Sequence, residues 1–270
     1  METRSSIVAE NTECIGNCIN GISIIIPAYN EAKRIGNCVN RIISVCESYG
    51  WNYELIIAAE GSTDDTVKVV EAMFSSLSEK ITILTGSKRL GKGGSIKEAV
   101  KCAKMEYIVY MDSDLSADPT QLDRLLQFAN EYDVVIGSRI VRGGLPPISR
   151  PVARGLFSHL YSVCFRVMFM TQIRDPQCGF KLFKKSTIDR LFNSTRTCGF
   201  AFDTEILVRA MILGLKIKEV PIVWTHDKDG SKVRISKQVP LMASDLISIR
   251  IRTLFNRGDT TSIQPRLQAS

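Results

Sequence analysis

Two aspartates separated by one serine, Asp112-Ser113-Asp114, stand at the end of the apolar run Tyr107–Met111. Side chains alternate along a strand, so Asp112 and Asp114 can project to the same side. Two such carboxylates can share one hard divalent cation, whose open positions then take substrate phosphate oxygens. The same triplet, alone, also serves as a turn or a helix cap before Pro119. Its meaning depends on the residues that accompany it.

Two stretches upstream have chemistry of their own. Ala59-Glu60-Gly61-Ser62-Thr63-Asp64-Asp65-Thr66 leaves an apolar run, turns at Gly61 and enters a helical pattern. Ser62 and Asp64 suit a helix N-terminus, and Glu60 is a carboxylate able to accept hydrogen bonds from a nucleobase. Gly86-x-x-x-x-Gly91-Lys92-Gly93 nearly matches a phosphate-cradling loop, but Gly93 stands where a Ser or Thr would hold magnesium. The expectation is that Lys92 and this glycine-rich backbone lie near an anionic ligand without forming a nucleotide-hydrolysing P-loop.

These segments need a scaffold that gathers them. Ile22–Ile26, Tyr53–Ala58, Ile81–Leu84, Tyr107–Met111 and Asp133–Gly137 read as short buried strands. Between them lie helical repeats: Ile35, Val39, Ile42, Ile43 and Cys46; Val67, Val70, Met73, Phe74 and Leu77; Ile96, Ala99, Val100 and Ala103; Leu122, Leu125, Leu126 and Ala129. Continuous apolar strands alternating with helices predict an α/β fold, a mostly parallel sheet with helices on both faces. Ligands of such sheets bind beyond the carboxyl ends of the strands, where Pro27–Glu31, Glu60–Asp65, Gly91–Ser95 and Asp112–Asp114 all fall. After Ser138 the pattern loosens into a basic Pro/Gly-rich loop at 142–155, a helix-like apolar segment and a late strand within Lys216–Trp224. Leu241–Phe255 is apolar with three arginines around it and shows no single clean stripe, so it either packs on the body or lies on a membrane.

Composition narrows the class. A hydrophobic content of 44% makes global disorder unattractive, and a net charge of +7 suits a phosphorylated ligand or an anionic membrane surface. A nucleic-acid partner would rest on that charge alone, and none is expected. The 8 cysteines are scattered without a Cys-x-x-Cys pair, which fits a reducing cytoplasmic setting; Cys14 and Cys18 have no obvious second ligand pair. No secretory signal and no transmembrane span is expected, since Leu156–Ile173 carries His159 and Arg166 near its middle.

Taken in order, Ser23-Ile-Ile-Ile-Pro27-Ala-Tyr29-Asn30-Glu31, Glu60-Gly-Ser-Thr-Asp-Asp-Thr66, Gly91-Lys-Gly93 and Met111-Asp-Ser-Asp-Leu115 resemble the motifs of family-2 glycosyltransferases. Gly137-Ser-Arg139, Arg174-Asp-Pro-Gln-Cys-Gly-Phe180 and Gly230-Ser-Lys232 narrow the resemblance to the polyprenyl-phosphate branch, the dolichyl-phosphate mannose synthases and dolichyl-phosphate β-glucosyltransferases. The likeness runs from about Gly21 to beyond Lys232. It implies a GT-A fold over 21–232, preceded by a polar tail (1–20) and followed by a basic, apolar extension (233–270). By position it implies that Pro27, Tyr29, Glu31, Glu60, Lys92, Ser113 and Lys232 hold the nucleotide sugar. Asp112 and Asp114 would hold Mg²⁺ or Mn²⁺ on its diphosphate. Arg139, Arg150, Arg154 and His226 would face the acceptor phosphate, and the segment at about 142–173 would supply an acceptor loop and an interfacial helix.

Two departures shape the substrate expectation. Ala59-Glu60 replaces the family's usual Asp-Asp, and His226 stands where mannose synthases carry Arg. The run Cys178-Gly-Phe-Lys-Leu-Phe183 and the run Ala201-Phe-Asp-Thr-Glu205 look more like the glucosyl branch, favouring UDP-glucose over GDP-mannose. The implied reaction is inverting transfer of the sugar to a polyprenyl or dolichyl phosphate by a peripheral enzyme on the cytoplasmic face of a membrane. Two alternatives stay open: transfer to a soluble or polymeric hydroxyl with Asp203 as catalytic base, and nucleotide-sugar binding without catalysis.

Overall fold

Seven strands form one sheet in the order β3-β2-β1-β4-β6-β5-β7. They are β1 (Ile22–Pro27), β2 (Tyr53–Ala58), β3 (Ile81–Leu84), β4 (Tyr107–Met111), β5 (Val134–Ser138), β6 (Phe180–Lys184) and β7 (Ile217–Pro221). This computed structural model describes residues 20–141, 152–199, 201–225 and 235–255. Within them the eight α-helices are α1 (Ile35–Ser48), α2 (Thr66–Phe74), α3 (Gly91–Cys102), α4 (Leu122–Leu126), α5 (Val152–Phe169), α6 (Lys185–Phe192), α7 (Phe202–Ile212) and α8 (Ile235–Phe255).

The inner strands β1, β2, β4, β5 and β6 bury both faces, and their alternation assigns each side chain to one of two cores. Ile22, Ile24, Ile26, Leu55, Ile57, Tyr107 and Val109 pack with α1, α2 and α4. Ile25, Ile56, Ile108, Tyr110, Val134 and Ile136 pack on the other side with α3, α5, α6, α7 and α8. Each fully buried isoleucine contributes about 1.5–3 kcal/mol, so the sheet is held chiefly by this two-sided burial.

All neighbouring pairs are parallel except those of β6, which runs antiparallel to both β4 and β5. That strand was not expected from the sequence, because Lys181 and Lys184 interrupt its apolar pattern. Its direction has a consequence for the site. The carboxyl ends of β1, β4 and β5 lie on one edge, and the start of β6 comes to that same edge, with Phe180 paired to Met111. The chain steps outward from β1 to β2 and β3 and then returns to the other side of β1 as β4. Pro27 and Asp112 therefore flank the topological switch point, where a crevice opens between diverging loops.

Candidate active site

One wall of the crevice is two loops tied together. Asn30, in a left-handed conformation with φ of 56°, accepts a hydrogen bond from Thr63 N–H at 2.7 Å. The Asn30 N–H donates to Ser62 Oγ at 3.2 Å, and Ser62 Oγ donates to the Ala28 carbonyl at 3.1 Å. The Glu31 N–H donates to Thr66 Oγ1 at 2.8 Å. Ser62 is thus a tie between the loops and not the helix cap expected from its position; Asp64 does accept from the Thr66 N–H at the start of α2, at 3.0 Å. The Tyr29 ring lies under the Arg89 guanidinium, 4.1 Å from its centre. Gly61, with φ of 72°, lets the Arg89 backbone come so close that a Cβ there would lie 2.6 Å from it. Glu60, at the end of β2, is buried, and its Oε2 has no hydrogen-bond partner. A buried carboxylate oxygen left unpaired costs on the order of 1–3 kcal/mol, which a ligand donor would recover. Glu31 is ion-paired with Arg34.

The aspartate pair forms the floor. Asp114 Oδ1 accepts from the Ser116 N–H at 2.9 Å, turning the chain sharply through Leu115, whose φ is 53°. Ser113 between them is buried. Asp112, Asp114 and Glu31 all bear on the buried Cys38 thiol, which burial first and these carboxylates next push up to about 12. The Asp112 carboxylate rests against Gly179, where a Cβ would lie 2.0 Å from Oδ2. Only glycine at 179 leaves room for that placement.

Lys92 Nζ reaches Asp112 Oδ1 at 2.9 Å and Asp203 Oδ2 at 3.0 Å. Burial would lower its ammonium's pKa, but these two carboxylates hold it well above the ordinary value. The glycines beside it pack and do not cradle: Gly93 and Gly94 N–H donate to the Cys198 carbonyl at 2.9 and 3.4 Å. A Cβ on Gly93 would meet Phe202 at 2.5 Å. The amides of Gly93 and Gly94 are thus used within the chain, and Lys92 faces the aspartates. Asp203, 2% exposed, also accepts from the Tyr110 hydroxyl at 2.6 Å and from Lys181 at 2.9 Å. Burial alone would raise its carboxyl, but Lys181 and then Lys92 hold it below the usual carboxylate range.

Arg139, just past β5, makes a two-pronged pair with Asp175, Nε to Oδ2 at 2.7 Å and an Nη to Oδ1 at 2.6 Å. Its guanidinium also covers the Trp224 ring at 4.9 Å. Burial would raise the Asp175 carboxyl, but Arg139 beside it keeps it low. Arg139 is thus held rigid at the strand edge with part of its donor set already used.

Arg150, His226 and Lys232 lie outside the described residues, as do Cys14 and Cys18, and the Arg154 side chain does too. Sequence reasoning assigned no role to Gly179, Lys181, Asp175, Tyr110 or Arg89. The lysine within the apolar run Phe180–Phe183 was the available signal for Lys181, since a lysine at a core-facing strand position needs an acid.

Among the described residues, no cluster of three or more His, Cys, Asp or Glu side chains forms a metal cage. Two hard carboxylates at an open strand end instead suit Mg²⁺ or Mn²⁺, which keep positions for phosphate oxygens and water. The donor set fits such an ion through Asp112 and Asp114.

Comparison with known proteins agrees with this geometry. The chain matches dolichyl-phosphate β-glucosyltransferase of Saccharomyces cerevisiae at 31% identity over 251 residues, 86% of this chain and 75% of that protein. The corresponding human protein matches at 32% over 248 residues, 86% and 76% of the two chains. Glycosyltransferase AglD of Haloferax volcanii is 31% identical over 230 residues, 84% of this chain but 36% of that relative's length. Among solved structures, glucosyl-3-phosphoglycerate synthase from Mycobacterium tuberculosis, in complex with Mn²⁺, UDP and phosphoglyceric acid, superposes with a TM-score of 0.66 at 18% identity. That match covers 94% of this chain and 83% of that one, and shows the GT-A fold. With residues 23–192 matched by the glycosyl transferase family 2 model, the chain belongs to that family and is a glycosyltransferase.

Proposed function

We propose that the protein transfers glucose from UDP-glucose to a dolichyl or related polyprenyl phosphate, with Mg²⁺ or Mn²⁺ on Asp112 and Asp114. The observation that carries this reading is the aspartate pair at the switch point, with Lys92 on one side and the unpaired Glu60 Oε2 in the neighbouring loop. The Glu60 carboxylate, with Oε2 buried and unpaired, can accept a ring N–H of a nucleobase. Tyr29 and Arg89 supply a flat, cationic wall for the base.

A bound divalent ion supplies neutralisation of the departing nucleoside diphosphate. The chain's own residues do the rest. Asp112 is oriented by Gly179 and Lys92, while Lys92 and Arg139 add positive potential where negative charge develops. A lipid phosphate is already ionised near neutral pH, so attack needs positioning and no proton removal. Both oxygens of Asp203 are occupied by Lys92, Lys181 and Tyr110. That occupancy supports an acceptor that needs no base and assigns Asp203 to holding the lysines.

No helix among the described residues is long and apolar enough to cross a membrane. Two helices nevertheless present apolar surface: Phe157, Leu160 and Val167 on α5, with Met170 just beyond its end, and Ile251, Leu254 and Phe255 on α8 are exposed. The inner sides of the same helices are buried at Phe165, Leu246 and Ile249. Each helix therefore packs on the body and keeps an outer apolar side, with Arg250 over the Phe169 ring at 5.7 Å. A lipid surface with anionic headgroups fits this combination of apolar and basic groups.

The test is transfer of label from UDP-glucose, and separately GDP-mannose, into the organic phase with short polyprenyl phosphates and Mn²⁺. Label from UDP-glucose, lost in Asp114→Ala with folding intact, is the expected result. Binding of the nucleotide sugar without label in lipid overturns the lipid-acceptor reading, and full activity of Asp114→Ala overturns the metal assignment.

A further inference from the structure

Lys181 lies on β6 opposite Tyr110, among side chains of the second core, and is fully buried. A buried ammonium persists only when paired. Its partner is Asp203 Oδ1 at 2.9 Å, and it also donates to the Cys178 carbonyl. Asp203 Oδ2 holds Lys92, and Lys92 holds Asp112. Four side chains thus form a line of alternating charge from the core to the crevice: Lys181, Asp203, Lys92, Asp112.

The inner end of this line is fixed by Tyr110, Lys181 and close packing. Its outer end is open: the Asp112 side chain is 32% exposed. Gly179 backs Asp112 Oδ2, and Lys92 sits on Oδ1, so the carboxylate that a divalent cation needs already has a cation against it. A metal ion arriving alone would place two cations side by side with no added anion. A metal ion arriving with a diphosphate brings new oxygens that accept from the displaced ammonium.

We propose that Lys92 is a resident counter-ion of the metal site. It neutralises Asp112 in the free enzyme, yields that carboxylate to the metal and, held within reach by Asp203, turns to donate to the incoming diphosphate. Metal binding is thereby made conditional on nucleotide binding. This rests on the assignment of the metal to Asp112 and Asp114.

The experiment measures Mn²⁺ affinity of the full chain, with and without UDP, by the electron paramagnetic resonance of free Mn²⁺. Wild type is compared with Lys92→Met and with Lys92→Gln, which retains an uncharged donor for Asp203. Both variants are expected to bind Mn²⁺ alone at least about tenfold more tightly than wild type, with a smaller gain on adding UDP. Turnover is expected to fall in the same variants. A merely structural role for Lys92 would weaken metal binding and turnover together. If wild type binds Mn²⁺ with UDP while neither variant binds Mn²⁺ alone more tightly, the counter-ion role is overturned and the metal assignment stands. If wild type binds no Mn²⁺ even with UDP, both fall.

Discussion

Gly179→Ala tests whether Asp112 must sit where it does. An ideal Cβ at Gly179 lies 2.0 Å from Asp112 Oδ2 and 2.6 Å from its carboxyl carbon. Carbon and oxygen approach no closer than roughly 3.3 Å in favourable contacts, so the carboxylate must retreat by about 1 Å. Retreat is opposed on the other side, because Oδ1 is held by Lys92, itself anchored to the buried Asp203. A misplacement of about 1 Å at a reacting centre costs on the order of 100-fold in rate. Overpacking costs about 1–3 kcal/mol, offset in part by the lower entropy of the unfolded chain, so stability should fall by about 1–2 kcal/mol. The variant is assayed for kcat/KM in the transfer of label to lipid, alongside thermal unfolding. Gly155→Ala on α5 is the stability control, since a Cβ there meets nothing within 4 Å; a helical Gly→Ala exchange should leave stability equal or up to about 1 kcal/mol higher. Retention of kcat/KM within about threefold of wild type in Gly179→Ala would refute the claim that Asp112 placement limits the reaction.

Three further outcomes are expected. Glu60→Leu removes the unpaired acceptor, raising the KM for the nucleotide sugar about 10- to 100-fold while leaving stability unchanged or better; steady-state kinetics with an unaltered KM would exclude the base contact. Asp203→Asn takes the carboxylate from the buried Lys181 and one of the two from Lys92, and should lose about 3–5 kcal/mol near neutral pH. Because the Asp203 carboxyl is held low in the folded state, its stabilisation is present above the ordinary Asp value of about 4 and is lost as pH falls through the folded value. Urea unfolding of wild type and variant should therefore converge in acid, and a gap that persists unchanged would show that the carboxylate charge is not what holds Lys181 and Lys92. Val167→Glu combined with Leu254→Glu should weaken sedimentation with anionic vesicles at least about tenfold, since each buried side chain is worth about 1.5–3 kcal/mol, yet spare transfer to a short, detergent-dispersed acceptor. Equal vesicle binding would remove this surface from the membrane side.

The strands β1 to β5 were legible because their apolar runs are short, dense and bounded, and in all but the edge strand β3 burial on both faces requires such runs. Their bounds differ from expectation by a residue at most: β1 extends to Pro27, and β5 spans Val134–Ser138. The motif loops were legible as well, since in a parallel sheet every strand's carboxyl end comes to one edge. Leu241–Phe255 could not be decided from its pattern, and the reason is now plain: α8 buries Leu246 and Ile249 and exposes Leu241, Ile247, Ile251 and Leu254, so it has both a packed and an outer apolar side.

By itself, then, the sequence determined the layered α/β scaffold, the edge at which the carboxyl ends of its parallel strands meet and the aspartate pair on that edge. These follow from local periodicity and from the conformational demands of single residues. Tertiary structure alone decided the direction of β6, the seat of Asp112 on Gly179, the pairing of Arg139 with Asp175 and the line of charges from Lys181 to Asp112. Lys92 and Asp203 are 111 residues apart, and no local pattern links them. Charge compensation in a buried site is set by which atoms the folded sheet brings within about 3 Å of one another, a quantity that chain spacing does not encode.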